Sequence, residues 1–186
     1  MRLLDMRDSF AHIPNNWSFS NRPFYIACDK DLHDAAQKMI TVGGEDMFPP
    51  GFCDFMLPKV VRRNWQGGTC FLLRRVTFPM TRRTSSVLKR VIQNGWEDAV
   101  DIVLEREGRD EFFGTRFDSS GKVVDPLILC AIAHRRNQIA LKLLGRTPVP
   151  SLVQADEAYG TILEAANRVG MGTLAAAIQC KLDKHV

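Results

Sequence analysis

The stretch that most restricts this chain is residues 93–104, Q-N-G-W-E-D-A-V-D-I-V-L. Gly95 ends one helix, because only glycine takes the left-handed cap conformation at little cost. Two residues later Glu97 and Asp98 open another helix, where its dipole favours negative charge. Ala99, Val100, Ile102, Val103 and Leu104 then give that helix an apolar face. Upstream, Ser85-Ser86 can start the preceding helix, with Val87, Leu88, Val91 and Ile92 on one side. The segment reads as a two-helix hairpin.

The plan recurs four more times. Residues 22–40 carry a proline at a helix start, a short apolar helix, a polar turn at residues 29–31 and a second helix. Residues 55–73, 125–144 and 160–178 follow the same order. Registered on Pro23, Met56, Val87, Pro126 and Thr161, the intervals are 33, 31, 39 and 35 residues. Such a period marks a repeat architecture, in which each unit buries its apolar face only against its neighbours. Small residues return at one place in the first helices: Ala27-Cys28, Cys130-Ala131 and Ala165-Ala166.

Over about residues 20–180 these five units resemble the ankyrin repeat, each matching it in part. Arg22-Pro23-Phe24-Tyr25-Ile26-Ala27-Cys28 is similar to its T-P-L-H-x-A-A start, and residues 94–104 are similar to its N-G-H-x-x-V-V-x-x-L-L turn and second helix. No unit has the threonine or the histidine of that start. Arg90 stands where the family buries a leucine, Gly67-Gly68 weaken a second helix, and the fourth unit needs a one-residue insertion near His134. The resemblance implies an all-α solenoid of stacked helix-turn-helix repeats. Its units fall at residues 21–51, 52–84, 85–124, 125–159 and 160–186, behind an N-terminal cap at residues 1–20, in one repeat domain. A HEAT- or armadillo-like stack or a non-repetitive helical domain is the competing architecture. Connections are expected at residues 43–52, 108–124 and 147–151, which hold glycine, proline, aspartate and serine.

The formal net charge is only +4, yet it is unevenly spread. Residues 55–96 hold nine basic side chains (Lys59, Arg62, Arg63, Arg74, Arg75, Arg82, Arg83, Lys89, Arg90) and no acid. Residues 97–118 hold eight acids against three arginines. Ankyrin repeats bind through hairpin tips and the exposed ends of first helices. The resemblance therefore implies a partner-binding concave face bearing Lys59, Arg62, Arg63, Arg82, Arg83 and Lys89, with Trp65 and Trp96 at the place after the first helix. Those tryptophans serve either to stack repeats or to anchor a partner. The partner is expected to be a protein with an acidic surface, and the chain an adaptor, inhibitor or host-directed effector; the alternative is nucleic acid or another polyanion held by the 55–96 band. Alternatively, the arginines solvate the surface and pair with the acids of residues 97–118.

Nothing points to catalysis. G-x-S-x-G, H-E-x-x-H, the phosphate-binding G-x-x-x-x-G-K-S/T and G-x-G-x-x-G are all missing from the sequence. No metal or cofactor is expected: His12, His33, His134 and His185 are scattered, and five cysteines without a C-x-x-C suggest reduced thiols in a cytoplasmic setting. Arg82-Arg83-Thr84-Ser85 resembles a basic-directed kinase site, although Ser85 is also a natural helix cap. No apolar run approaches the ~20 residues of a membrane span, and the N-terminus lacks the apolar stretch of a secretory signal. A monomer or weak oligomer is expected.

Overall fold

A computed structural model describes residues 22–43, 48, 50–76, 82–106, 113, 116–117, 123–124, 126–154 and 160–185. The expected N-terminal cap at residues 1–20 lies outside them. The described residues are helical apart from one short antiparallel ribbon. They divide into two compact units, Met1–Thr77 and Phe78–Val186.

The first unit contains α1 (Arg22–Asp29), α2 (His33–Gly43), α3 (Pro50–Arg62) and α4 (Gln66–Leu73). α1 pairs with α2 and α3 with α4; α1 also packs on α3, and α2 on α4. Phe24, Phe48, Phe52, Met56, Leu57, Leu72 and Leu73 fill its core, each at most 2% exposed. Phe24 meets Phe48 edge-on with centroids 4.7 Å apart, and Phe48 meets Phe71 likewise at 5.1 Å, the geometry that aromatic quadrupoles prefer.

The second unit contains α5 (Arg82–Asn94), α6 (Glu97–Arg106), α7 (Leu127–Ala133), α8 (Asn137–Arg146), α9 (Val149–Val153), α10 (Ile162–Arg168) and α11 (Gly172–Asp183). The first helices follow one another, α5 on α7 and α7 on α10; the second helices do the same, α6 on α8 and α8 on α11. Between α6 and α7, β1 (Arg116–Phe117) pairs antiparallel with β2 (Val123–Val124).

Among the described residues, one local geometry closes all five hairpins. Asp31, Asn64, Gly95, Arg135 and Gly170 each sit at φ between 54° and 77°. Each donates its N–H to the carbonyl three residues back, from Asp31 to Cys28 (3.4 Å) through Gly170 to Asn167 (3.0 Å). The following residue (Leu32, Trp65, Trp96, Arg136 or Met171) donates five residues back, as from Trp65 to Val60 at 3.3 Å. Its own carbonyl then accepts the first bond of the next helix, as from Val100 to Trp96 at 3.2 Å. This is the Schellman closure, which satisfies carbonyls that the helix end would orphan. The left-handed positions recur at intervals of 33, 31, 40 and 35 residues.

Several boundaries differ from the sequence expectation. α5 begins at Arg82 rather than at Ser85-Ser86. α3 begins at Pro50, inside the expected connection, because proline's missing N–H costs nothing in a helix's first turn. The same tolerance lets α9 form over Val149–Val153, with a proline in its first turn, where a connection was expected. The expected long connection at residues 108–124 carries the ribbon. Arg90, expected from the resemblance at a place where an ankyrin repeat buries a leucine, is exposed in α5.

Candidate functional site

Helical spacing brings two rows of side chains together in the first unit. Tyr25, Cys28 and Asp29 occupy one face of α1 at i, i+3 and i+4. Met56, Lys59 and Arg62 follow at three-residue spacing on α3, and Arg63 comes directly after its last residue. Because α1 packs on α3, the rows line a half-open cleft of about 410 Å³. Cys28 and Met56 lie buried at its base, and the basic groups belong to the end of α3, where the helix dipole favours cations.

The three cations differ in how they are held. Arg63 donates from Nη2 to the Asp29 carbonyl oxygen at 2.8 Å and from Nη1 to Asp31 Oδ2 at 3.0 Å. It thereby caps the C-terminus of α1 and joins the two hairpins. Lys59 Nζ donates to Tyr25 Oη at 3.0 Å and lies 4.6 and 4.8 Å from the Tyr25 and Phe55 ring centroids. Arg62 Nε donates to the Pro58 carbonyl of its own helix at 3.2 Å. Among the described residues, neither Lys59 nor Arg62 meets a carboxylate.

Burial, reinforced by the Asp29 and Asp31 charges, pushes the Cys28 thiol up to about 12. It is a neutral, poorly nucleophilic group at pH 7. Burial also pushes Cys53 up to about 12, against a lowering by Arg75 and with a further raising by Asp54. Cys130 is raised by burial against the nearby Lys89 charge. No group of three His, Cys, Asp or Glu side chains among the described residues could hold a metal ion.

The other residues singled out from sequence fall elsewhere. Trp65 is half-buried and stacks on His33 with centroids 5.1 Å apart and rings 9° from parallel; its ring is also 6.2 Å from Phe24. It thus links the second hairpin to the first. Trp96 is 7% exposed, a core residue of the second unit. Lys89 lies half-buried on α5, its carbonyl accepting from Cys130 Sγ at 3.7 Å. Arg82 and Arg83 open α5, and they belong to a different unit from Arg62 and Arg63.

The ion pairs do not follow the sequence order of charge. Arg63 takes its acids from the preceding hairpin, and Lys142 on α8 takes Asp101 (2.7 Å) and Glu97 (3.4 Å) of α6. The hydrogen bond that Lys142 donates to Asp101 holds its ammonium above the ordinary range, with Glu97 adding to it against partial desolvation. Further cations bridge hairpins by donating to carbonyls. Arg136 reaches the Gln93 oxygen at 2.6 Å, Arg146 the Leu104 oxygen at 2.8 Å, and Lys181 the Leu144 oxygen at 2.7 Å. The Arg146 and Lys181 bonds occupy equivalent places in successive hairpins.

Sequence reasoning missed Tyr25, Cys28, Asp29 and Met56 as parts of the site. Their helical spacing was readable; the pairing of α1 with α3 was not. No family model, no curated protein and no solved structure matches the chain. No helix among the described residues is long and apolar enough to cross a membrane.

Proposed function

We propose that the chain is an ankyrin-like array of helix hairpins that recognises a protein partner with an acidic surface, serving as an adaptor, inhibitor or host-directed effector. The five equivalent turn closures support the array reading, as does the packing of first helices on first and second on second in each unit. The observation that carries the binding reading is an imbalance of charge. Lys59, Arg62, Arg74, Lys89 and Arg90 meet no carboxylate among the described residues, whereas Arg63 and Lys142 each engage two. Uncompensated cations raise the encounter rate with an acidic partner and disfavour basic ones. Arginine's planar fork adds bidentate geometry for carboxylates. The neutral thiol of Cys28 favours binding over nucleophilic attack at the cleft.

The test is retention from lysate on the immobilised chain, comparing wild type with a variant carrying glutamine at Arg62, Arg63, Arg82 and Arg83. Circular dichroism is needed to show that the variant folds, because Arg63 also joins two hairpins. A nuclease-resistant protein partner retained by wild type and lost by the variant is expected. Retention that vanishes with nuclease and falls steeply with salt replaces this reading with binding of a nucleic acid through the 55–96 band. Unchanged retention removes the basic residues from the binding site.

A further inference from the structure

The two uncompensated cations of the α1–α3 cleft stand in different settings, and together they specify what would fill it. The Lys59 ammonium is pinned between a phenol oxygen and two ring faces. Those contacts remove part of its hydration and supply no counter-charge. Arg62 commits Nε to its own helix, and its two terminal nitrogens meet no acceptor among the described residues. Arg63 is already engaged, and the one carboxylate among the described residues that line the cleft, Asp29, lies 3.7 Å from it. Lys59 and Arg62 are therefore left as two separate positive centres. Three residues apart on one helix, they leave its surface as neighbours.

We propose that this cleft seats two glutamate side chains of an extended partner peptide, one on Lys59 and one on Arg62, with their methylenes over the floor beneath which Met56 and Cys28 are buried. The inference rests on reading the chain as a protein-binding array. Alternate residues of an extended peptide point the same way, so a Glu-x-Glu segment presents both carboxylates together. Glutamate suits the site better than aspartate because its longer stem covers the apolar base. A cleft of about 410 Å³ falls within the range of roughly 300–1,000 Å³ typical of ligand sites and is larger than one carboxylate requires. A phosphoryl group would concentrate its charge on one centre beside the Asp29 carboxylate, whereas two carboxylates distribute it over both cations.

The experiment uses the full chain with ¹³C-methyl methionine, titrated with the peptide acetyl-Ala-Glu-Leu-Glu-Ala-amide. Controls are its Gln-for-Glu counterpart, a phosphoserine peptide and a short single-stranded DNA. The glutamate peptide is expected to shift the Met56 methyl resonance, and the glutamine peptide to leave it in place. Lys59→Gln with Arg62→Gln is expected to weaken binding about tenfold, whereas Lys184→Gln leaves it unchanged. Lys184 is exposed in the second unit and outside the cleft lining. Equal shifts from the glutamine peptide, wild-type affinity in the double variant, or tighter binding of the phosphopeptide or DNA at equal salt would overturn the proposal. If Arg74 or Arg90 side-chain resonances respond while Met56 is silent, the cleft is not the seat but the basic-surface reading stands. If neither responds and the four-arginine variant keeps its lysate partner, both readings fall.

Discussion

At Gly68 the Cβ of any larger residue would run into the six-membered ring of Trp65, while one position earlier a Cβ would meet Trp65 Nε1 at an ordinary 3.4 Å. The two glycines of α4 thus have opposite meanings. Sequence alone makes both a weakness, since each costs roughly 1 kcal/mol against alanine in a helix. In the fold, Gly68 is what lets the Trp65 indole lie over α4 and stack on His33. Gly67→Ala is expected to be neutral or to stabilise by up to about 1 kcal/mol. Gly68→Ala is expected to destabilise by about 1–3 kcal/mol through overpacking and to shift tryptophan emission; urea denaturation followed by fluorescence separates them. The same limit governed the cleft. Lys59, Arg62 and Arg63 stood out as cations in an acid-free run, but nothing local to them reveals that only Arg63 finds acids, 32 and 34 residues upstream.

Among the elements, turns were legible where a residue carries its own conformational signature. Gly95 and Gly170 announce the left-handed position, and Asn64 and Asp31 tolerate it. Arg135, at φ 54°, announces nothing; the hairpin closes there because α7 and α8 pack together and over-determine the turn. Arg135→Gly is expected to stabilise the chain by about 0.5–1 kcal/mol, the left-handed strain of roughly 1–2 kcal/mol being partly offset by glycine's greater unfolded-state entropy. A higher urea midpoint with an unchanged slope checks it. Helix starts were the least legible boundaries. Pro50 in α3 and Pro150 in α9 read as loop residues, although the first turn of a helix accepts them. α5 opens on two arginines at the end where the dipole favours acids, three residues ahead of the Ser85-Ser86 cap by which the sequence placed its start. α10 was easier: Thr161 accepts from the Glu164 N–H at 3.2 Å and Glu164 Oε2 accepts from the Thr161 N–H at 2.8 Å, a reciprocal cap at the position that registered the fifth unit.

For the whole molecule, the buried thiols set a limit on alkaline stability. Cys28 and Cys53 both lie in the first unit and are at most 3% exposed, with folded pKa values of about 12 against an ordinary 9.0. Unfolding lets both ionise, so the folded state holds more protons between those values and stability falls as pH rises through that window. The loss is on the order of 1 kcal/mol per thiol at pH 10. A Cys28→Ala, Cys53→Ala variant is expected to show a flatter decline in urea midpoint from pH 8 to pH 10. In the native wild-type chain, exposed Cys180 is expected to be alkylated well before either; equal labelling rates would contradict the burial. The turn closures carry a consequence of another kind. Each is completed by hydrogen bonds within a single hairpin, so inserting or deleting a hairpin leaves every other turn intact. Chain length is thus open to change by duplication or loss, with adjustment falling on the seams, where Arg63, Arg136, Lys142, Arg146 and Lys181 reach back to the preceding hairpin.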